Sequence, residues 1–264
     1  MAKKNSRRLL LIGNWKMNPS SPEEAVSLYR RTRTKALKFP GVTVVLCVPY
    51  IYIGLLAKKA ADKRIHIGGQ DISVVEGIGA YTGAVSAELL SKVGARYTIV
   101  GHSERRIAGD DNIVVRAKLK SALRAGLFVI LCVGETERDS HGRYLTAVKE
   151  QVESALRGID RAEYHKVIIV YEPVWAIGDK ALRAATPQDV LEMQIYIHKI
   201  LADLIGQEIA RSMLVLYGGS SDQKNAEEIL RTGQVDGLLP GRASLNPEVF
   251  GVMIVIADRV ARAT

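Results

Sequence analysis

The sequence predicts an α/β protein: a single closed (β/α)8 barrel with parallel strands. Three observations carry that expectation. Eight short, β-branched apolar runs alternate with eight longer segments of helical spacing. Several of the runs are apolar almost throughout, as strands buried on both faces must be. The 264 residues divided among eight repeats give about 33 per strand–helix unit, the size expected of such a barrel.

The predicted strands are residues 8–13, 42–48, 65–70, 97–100, 128–133, 167–171, 213–217 and 237–239. Between and after them, helical spacing covers 22–38, 51–63, 86–93, 110–125, 144–157, 187–205, 222–232 and 247–259. Two helix starts are explicit. Ser21-Pro22-Glu23-Glu24 and Thr186-Pro187-Gln188-Asp189 each give a cap residue, then proline at the first helical position, then early acids. Gly126 and Gly206 suit helix ends. An open, doubly wound sheet would carry a Gly-rich nucleotide turn after the first strand. Here that turn reads Gly13-Asn14-Trp15-Lys16-Met17-Asn18, which does not fit. No low-complexity linker divides the chain, so residues 1–264 are read as one domain, with 1–7 a basic, disordered start.

Composition narrows the function classes. The chain is 47% hydrophobic and 25% charged, the balance of a folded globular protein. Its longest apolar stretch is far short of the ~20 residues of a bilayer span. Only four apolar residues separate the basic start from Gly13, too few for a secretory leader. Cys47 and Cys132 sit in separate apolar runs with no metal or redox spacing, and are expected to be buried free thiols in the cytoplasm. The net charge is +9, and residues 1–38 hold ten Lys/Arg against two Glu. No aromatic residues lie within the basic start 1–8 or between Arg30 and Lys38, where a nucleic-acid stacking platform requires them, so these charges are read as a solvated face.

In a parallel barrel, chemistry belongs at the carboxyl ends of the strands. The first run ends in Asn14-Trp15-Lys16, the fourth in Gly101-His102-Ser103-Glu104, and the sixth in Glu172-Pro173. Gly218-Gly219-Ser220 and Gly241-Arg242 follow the last two. Glu172 offers a base, His102 an imidazole that can donate or accept a proton, and Lys16 a fixed cation. The two glycine turns can bring backbone N–H groups to an anion. Together they point to proton transfer on a small phosphorylated carbonyl compound. No His/Asp/Cys cluster has metal-ligand spacing, so no metal is expected. His66, His141, His165 and His198 lack comparable company.

Six motifs stand in order at these strand ends. They are Asn14-Trp15-Lys16-Met17-Asn18, Gly79-Ala80-Tyr81-Thr82-Gly83, Val100-Gly101-His102-Ser103-Glu104-Arg105-Arg106, Cys132-Val133-Gly134-Glu135, Tyr171-Glu172-Pro173-Val174-Trp175-Ala176-Ile177-Gly178 and Tyr217-Gly218-Gly219-Ser220. Through them the chain resembles the triosephosphate isomerase family nearly end to end. The resemblance implies a TIM barrel that interconverts dihydroxyacetone phosphate and glyceraldehyde 3-phosphate through an enediolate. It implies Glu172 as base, His102 as electrophile and Lys16 as charge stabiliser. This family is a standard example of a neutral imidazole paired with a carboxylate base under a closing loop. It also implies substrate contacts from Asn14, Lys16, Gly178, Gly219, Ser220, Gly241 and Arg242, with Ser103 and Glu104 beside the site and no cofactor. Thr82 would reach a second subunit of a homodimer through the third loop.

Three departures stand out against the family pattern. Residues 179–185 are two longer than the usual lid, with Arg183 where a hinge lysine is usual. Arg242 replaces the second glycine of the eighth loop; it would strain the turn at positive φ, or add a cation beside the phosphate. Ala84 stands where an acid usually joins the subunits. Two rival readings remain at this stage: another phosphate-binding isomerase or epimerase, and a barrel without turnover that binds through its basic start.

Overall fold

A computed structural model describes residues 8–60, 64–178 and 183–263. The expected basic start, the end of the second predicted helix at 61–63 and lid positions 179–182 lie outside the described residues. Eight parallel strands close into a barrel in chain order, β1 to β8. They are β1 (Leu9–Asn14), β2 (Val42–Cys47), β3 (Ile65–Gly69), β4 (Tyr97–Val100), β5 (Phe128–Val133), β6 (Val167–Tyr171), β7 (Leu214–Tyr217) and β8 (Gly237–Leu238). The ring closes where Leu10 and Leu11 of β1 pair with Gly237 and Leu238 of β8.

The apolar character of both strand faces now has its cause. Alternate residues such as Leu10, Ile12, Val45, Ile99, Ile130, Cys132, Ile168, Val170 and Leu216 fill the barrel interior. Their neighbours, among them Leu9, Leu11, Val44, Leu46, Val129, Leu131 and Ile169, pack outward against the helices. A period-2 strand thus serves two cores at once.

The helices are α1 (Pro22–Ala36), α2 (Tyr50–Ala57), α3 (Ala87–Lys92), α4 (Ser103–Ile107), α5 (Asn112–Arg124), α6 (Arg143–Leu156), α7 (Pro187–Ile205), α8 (Gln207–Ser212), α9 (Ala226–Thr232) and α10 (Pro247–Ala263). Both expected caps form. Ser21 accepts from the Glu24 N–H, and Thr186 and Asp189 make a reciprocal capping box. Three helices differ from expectation, among them α8, which no predicted segment covers. The stretch after His102, read as a turn, is the short helix α4. The ninth helix begins at Ala226 rather than 222, because Asp222–Asn225 are held in a turn by the Asn225 side chain accepting from the Asp222 N–H at 2.9 Å. Both cysteines are free and buried, and burial pushes the Cys47 thiol pKa up. Among the described residues no helix is long and apolar enough to cross a membrane.

Candidate active site

At the carboxyl mouth of the barrel lies a cavity of about 800 Å³. Asn14, Lys16, His102, Ser103, Glu104, Glu172, Gly178, Gly219, Ser220, Gly241 and Arg242 all line it. Of the expected site residues only Thr82 does not; it is exposed on the loop after β3.

Lys16 enters from the end of β1 with φ of +50°, a left-handed conformation uncommon outside glycine. Two contacts hold it there. The Asn14 side chain accepts from the Lys16 N–H at 3.0 Å, and Gln70 Nε2 donates to the Lys16 carbonyl at 2.8 Å. The ammonium is bonded to the Glu104 carboxylate. Burial alone would raise the Glu104 pKa, but the Lys16 hydrogen bond and neighbouring charge bring it below its ordinary value.

His102 is the N-cap of α4. Its Nδ1 accepts from the Glu104 N–H at 3.1 Å. A backbone N–H can only donate, so Nδ1 must offer a lone pair, and the ring is neutral with its proton on Nε2. That Nε2 lies 3.4 Å from Glu172 Oε1. Glu172 Oε2 accepts from the Ser103 N–H, the other free amide at the start of α4, at 3.0 Å. One short helix therefore sets the imidazole tautomer and tethers the carboxylate. Glu172 is 2% exposed. Its backbone is gripped from β5: a Cβ on Gly134 would lie 1.8 Å from the Glu172 carbonyl oxygen, so only glycine fits.

After Glu172 the chain turns through a 3-10 segment, Val174–Ala176. The indole N–H of Trp175 donates to Glu135 Oε1 at 2.7 Å. The guanidinium carbons of Arg138 and Arg183 stand 5.4 and 4.6 Å from its ring centre. Arg183 also bonds both oxygens of Asp189, at 2.6 and 3.2 Å. Burial would raise the Asp189 pKa, but bonds from Arg183 and Thr186 and the charge of Arg138 hold it far below the usual carboxylate range. A carboxylate depressed on folding stabilises the protein above its unfolded pKa of about 4 and loses that contribution as pH falls. Asp189→Asn is therefore expected to cost about 1–3 kcal/mol near pH 7. Thermal melts from pH 7 to 3 should show the gap to wild type narrowing below about pH 4.

The opposite wall comes from β7 and β8. The N–H groups of Gly219 and Ser220 donate to no acceptor among the described residues. Arg242 opens the 3-10 segment Arg242–Leu245. It is not among the non-glycine residues with positive φ, which are Lys16 and Gln234, so the expected strain in this turn does not occur. Ser221, Asp222 and Asn246 also line the cavity and were not legible as site residues, although Ser221-Asp222 directly continues the Gly218-Gly219-Ser220 turn. Among the described residues no group of three or more His, Cys, Asp or Glu could hold a metal ion.

A parallel barrel whose mouth joins a carboxylate, a neutral imidazole and an ammonium, beside a rim of free amides, defines a barrel enzyme. The comparisons with known proteins make the assignment specific. The family model described as triosephosphate isomerase matches residues 9–257. The chain is 37% identical over 254 residues to the triosephosphate isomerase of Rhodopirellula baltica, covering 96% of this chain and 98% of that one. It is 42% identical over 247 residues to that of Xanthobacter flavus, covering 92% and 95%. It is also similar to the crystal structure of triosephosphate isomerase from Bartonella henselae, with a TM-score of 0.81 and 35% identity over 94% of this chain and 98% of that one. The chain belongs to the triosephosphate isomerase family.

Proposed function

We propose that the protein interconverts dihydroxyacetone phosphate and D-glyceraldehyde 3-phosphate, with Glu172, His102 and Lys16 as its catalytic groups. The observation that carries this reading is the meeting of those three side chains, from β6, β4 and β1, in one cavity. Glu172 removes a proton from the carbon beside the carbonyl and returns it to the neighbouring carbon. The Nε2–H of His102 donates to the carbonyl oxygen and passes the proton between the two oxygens. A neutral ring suits this task, since it can both give and take a proton. Lys16 faces the negative charge that builds on the enediolate, at a position fixed before substrate arrives. The free amides of Gly219 and Ser220, with Asn14, Gly178, Gly241 and Arg242, hold the phosphate and the charge around it. Closure over the site keeps water from an enediolate phosphate that would otherwise eliminate phosphate.

The direct test is a coupled assay of the purified protein on glyceraldehyde 3-phosphate. Turnover without added cofactor supports the reading, and its absence overturns it. Lys16→Ala is expected to lower kcat/KM by about 10²–10³-fold, the loss typical of a donor aimed at a developing oxyanion. Both kcat and KM should change, because the same ammonium serves the ground state and the enediolate.

The protein is further proposed to work as a homodimer in the cytoplasm, one domain per chain, joined through the third loop around Thr82. Exposed apolar side chains support the contact: Ile78 is 73% exposed, Tyr81 57% and Met17 94%. Light scattering of the purified chain measures it.

A further inference from the structure

We propose that the amino end of the barrel holds a binding site for a small aromatic carboxylate. It lies at the opposite end of β4 from His102 and does not depend on the isomerase reading. A cavity of about 160 Å³ opens there. Apolar cavities of roughly 150 Å³ accommodate a benzene ring. Its walls include Leu10 of β1, Ile168 of β6 and Leu214 of β7, together with Tyr97 and Phe128. The rings of Tyr97 and Phe128 stack with centres 5.0 Å apart and planes inclined by 24°. A planar ring from outside would extend this aromatic pair.

Polar groups of the cavity lack partners. Tyr97 is 8% exposed, yet its hydroxyl bonds to no group among the described residues. Thr43 of β2 also lines the cavity, and its hydroxyl is likewise unpartnered among the described residues. Burying a hydroxyl without a partner is costly, so these groups call for one from outside. Arg8 is a further lining residue, exposed and in no ion pair among the described residues.

The strand starts set the sign of the charge. The residue before the strand is basic in four repeats, at Arg8, Arg64, Arg96 and Lys166. It is acidic once, at Asp236, whose buried carboxylate accepts from the Val215 N–H at 2.8 Å. Among the described residues no carboxylate lines the cavity. This mouth therefore draws an anion and repels a cation. A carboxylate accepts from a hydroxyl and pairs with a guanidinium, and a ring on the same molecule fills the apolar part.

The probe is benzoate, titrated into the purified full chain by calorimetry and by amide-resolved NMR, beside acetate and benzyl alcohol. Benzoate is expected to bind with a dissociation constant on the order of 1 mM or tighter. Acetate lacks the ring and benzyl alcohol the charge, so each should bind at least about tenfold more weakly. Shifts should gather at Thr43, Tyr97 and Phe128. Arg8→Ala should weaken benzoate about tenfold and leave benzyl alcohol within about twofold of its wild-type affinity. Tyr97→Phe should weaken benzoate at least about threefold. Both variants delete a group with no hydrogen-bond or ion-pair partner among the described residues, so their melting should stay near that of wild type. Acetate binding as tightly as benzoate, shifts confined to the carboxyl mouth around Lys16 and Ser220, or unchanged benzoate affinity in both variants would overturn the proposal. Binding is read directly, so the result stands whether or not the chain turns over a triose.

Discussion

Glu172→Gln is expected to lower kcat by about 10²–10⁴-fold, the usual contribution of a positioned base. The amide keeps the size of the carboxylate, and its oxygen can still accept from the Ser103 N–H that now bonds Oε2. The fold should therefore survive, with melting behaviour near that of wild type by circular dichroism, and KM should change less than kcat. Steady-state kinetics of the variant near those of wild type would remove Glu172 as the base.

The largest loss of stability is expected at Lys118. This side chain, on α5, is 4% exposed. Its ammonium donates to both oxygens of Asp71, at 2.7 and 2.9 Å, and to Asp110 at 2.6 Å. Arg105 adds a contact to Asp71 at 2.9 Å. Lys118→Met would leave the two carboxylates with only the half-exposed Arg105 beside them. Breaking a buried pair in this way costs about 3–5 kcal/mol. In a chain of this size the melting temperature should fall on the order of 10 °C. Adding Asp71→Asn to Lys118→Met should restore part of the loss, because one of the stranded charges goes too. Asp71 follows β3 and Asp110 follows α4, so the cluster also steadies the helix whose start holds His102.

Much of this was readable from the chain. The strands were matched to within a residue at most ends, because interior filling and helix packing together demand unbroken apolar runs. Helices with a cap residue and proline, at Ser21-Pro22 and Thr186-Pro187, began where expected. Two of the short helices did not declare themselves, whereas Ala87–Lys92 lay within the predicted 86–93. Ser103–Ile107 and Gln207–Ser212 are too brief for a 3.6-residue period to show, and α4 has no buried residue to mark a face. In the site, single residues at strand ends could be named, but their couplings could not. That Lys16 is bonded to Glu104, or that Ser103 tethers Glu172, depends on which loops fold toward each other. Lys118 carried no signal, since a lysine within a helix reads as solvated until its partners arrive from distant loops. Arg242 was visible as a departure, but the backbone conformation that spares it strain was not.

The seam between β1 and β8 rests on two register pairs, Leu10 with Gly237 and Leu11 with Leu238. Lys16 extends from one lip of that seam and the Gly241-Arg242 turn from the other. The groups proposed to grasp the anion are thus joined across the point where the two ends of the chain's circuit meet. Loosening there would part the two halves of the grip before it unravelled either, so ligand affinity should serve as an early gauge of how firmly the circle is shut.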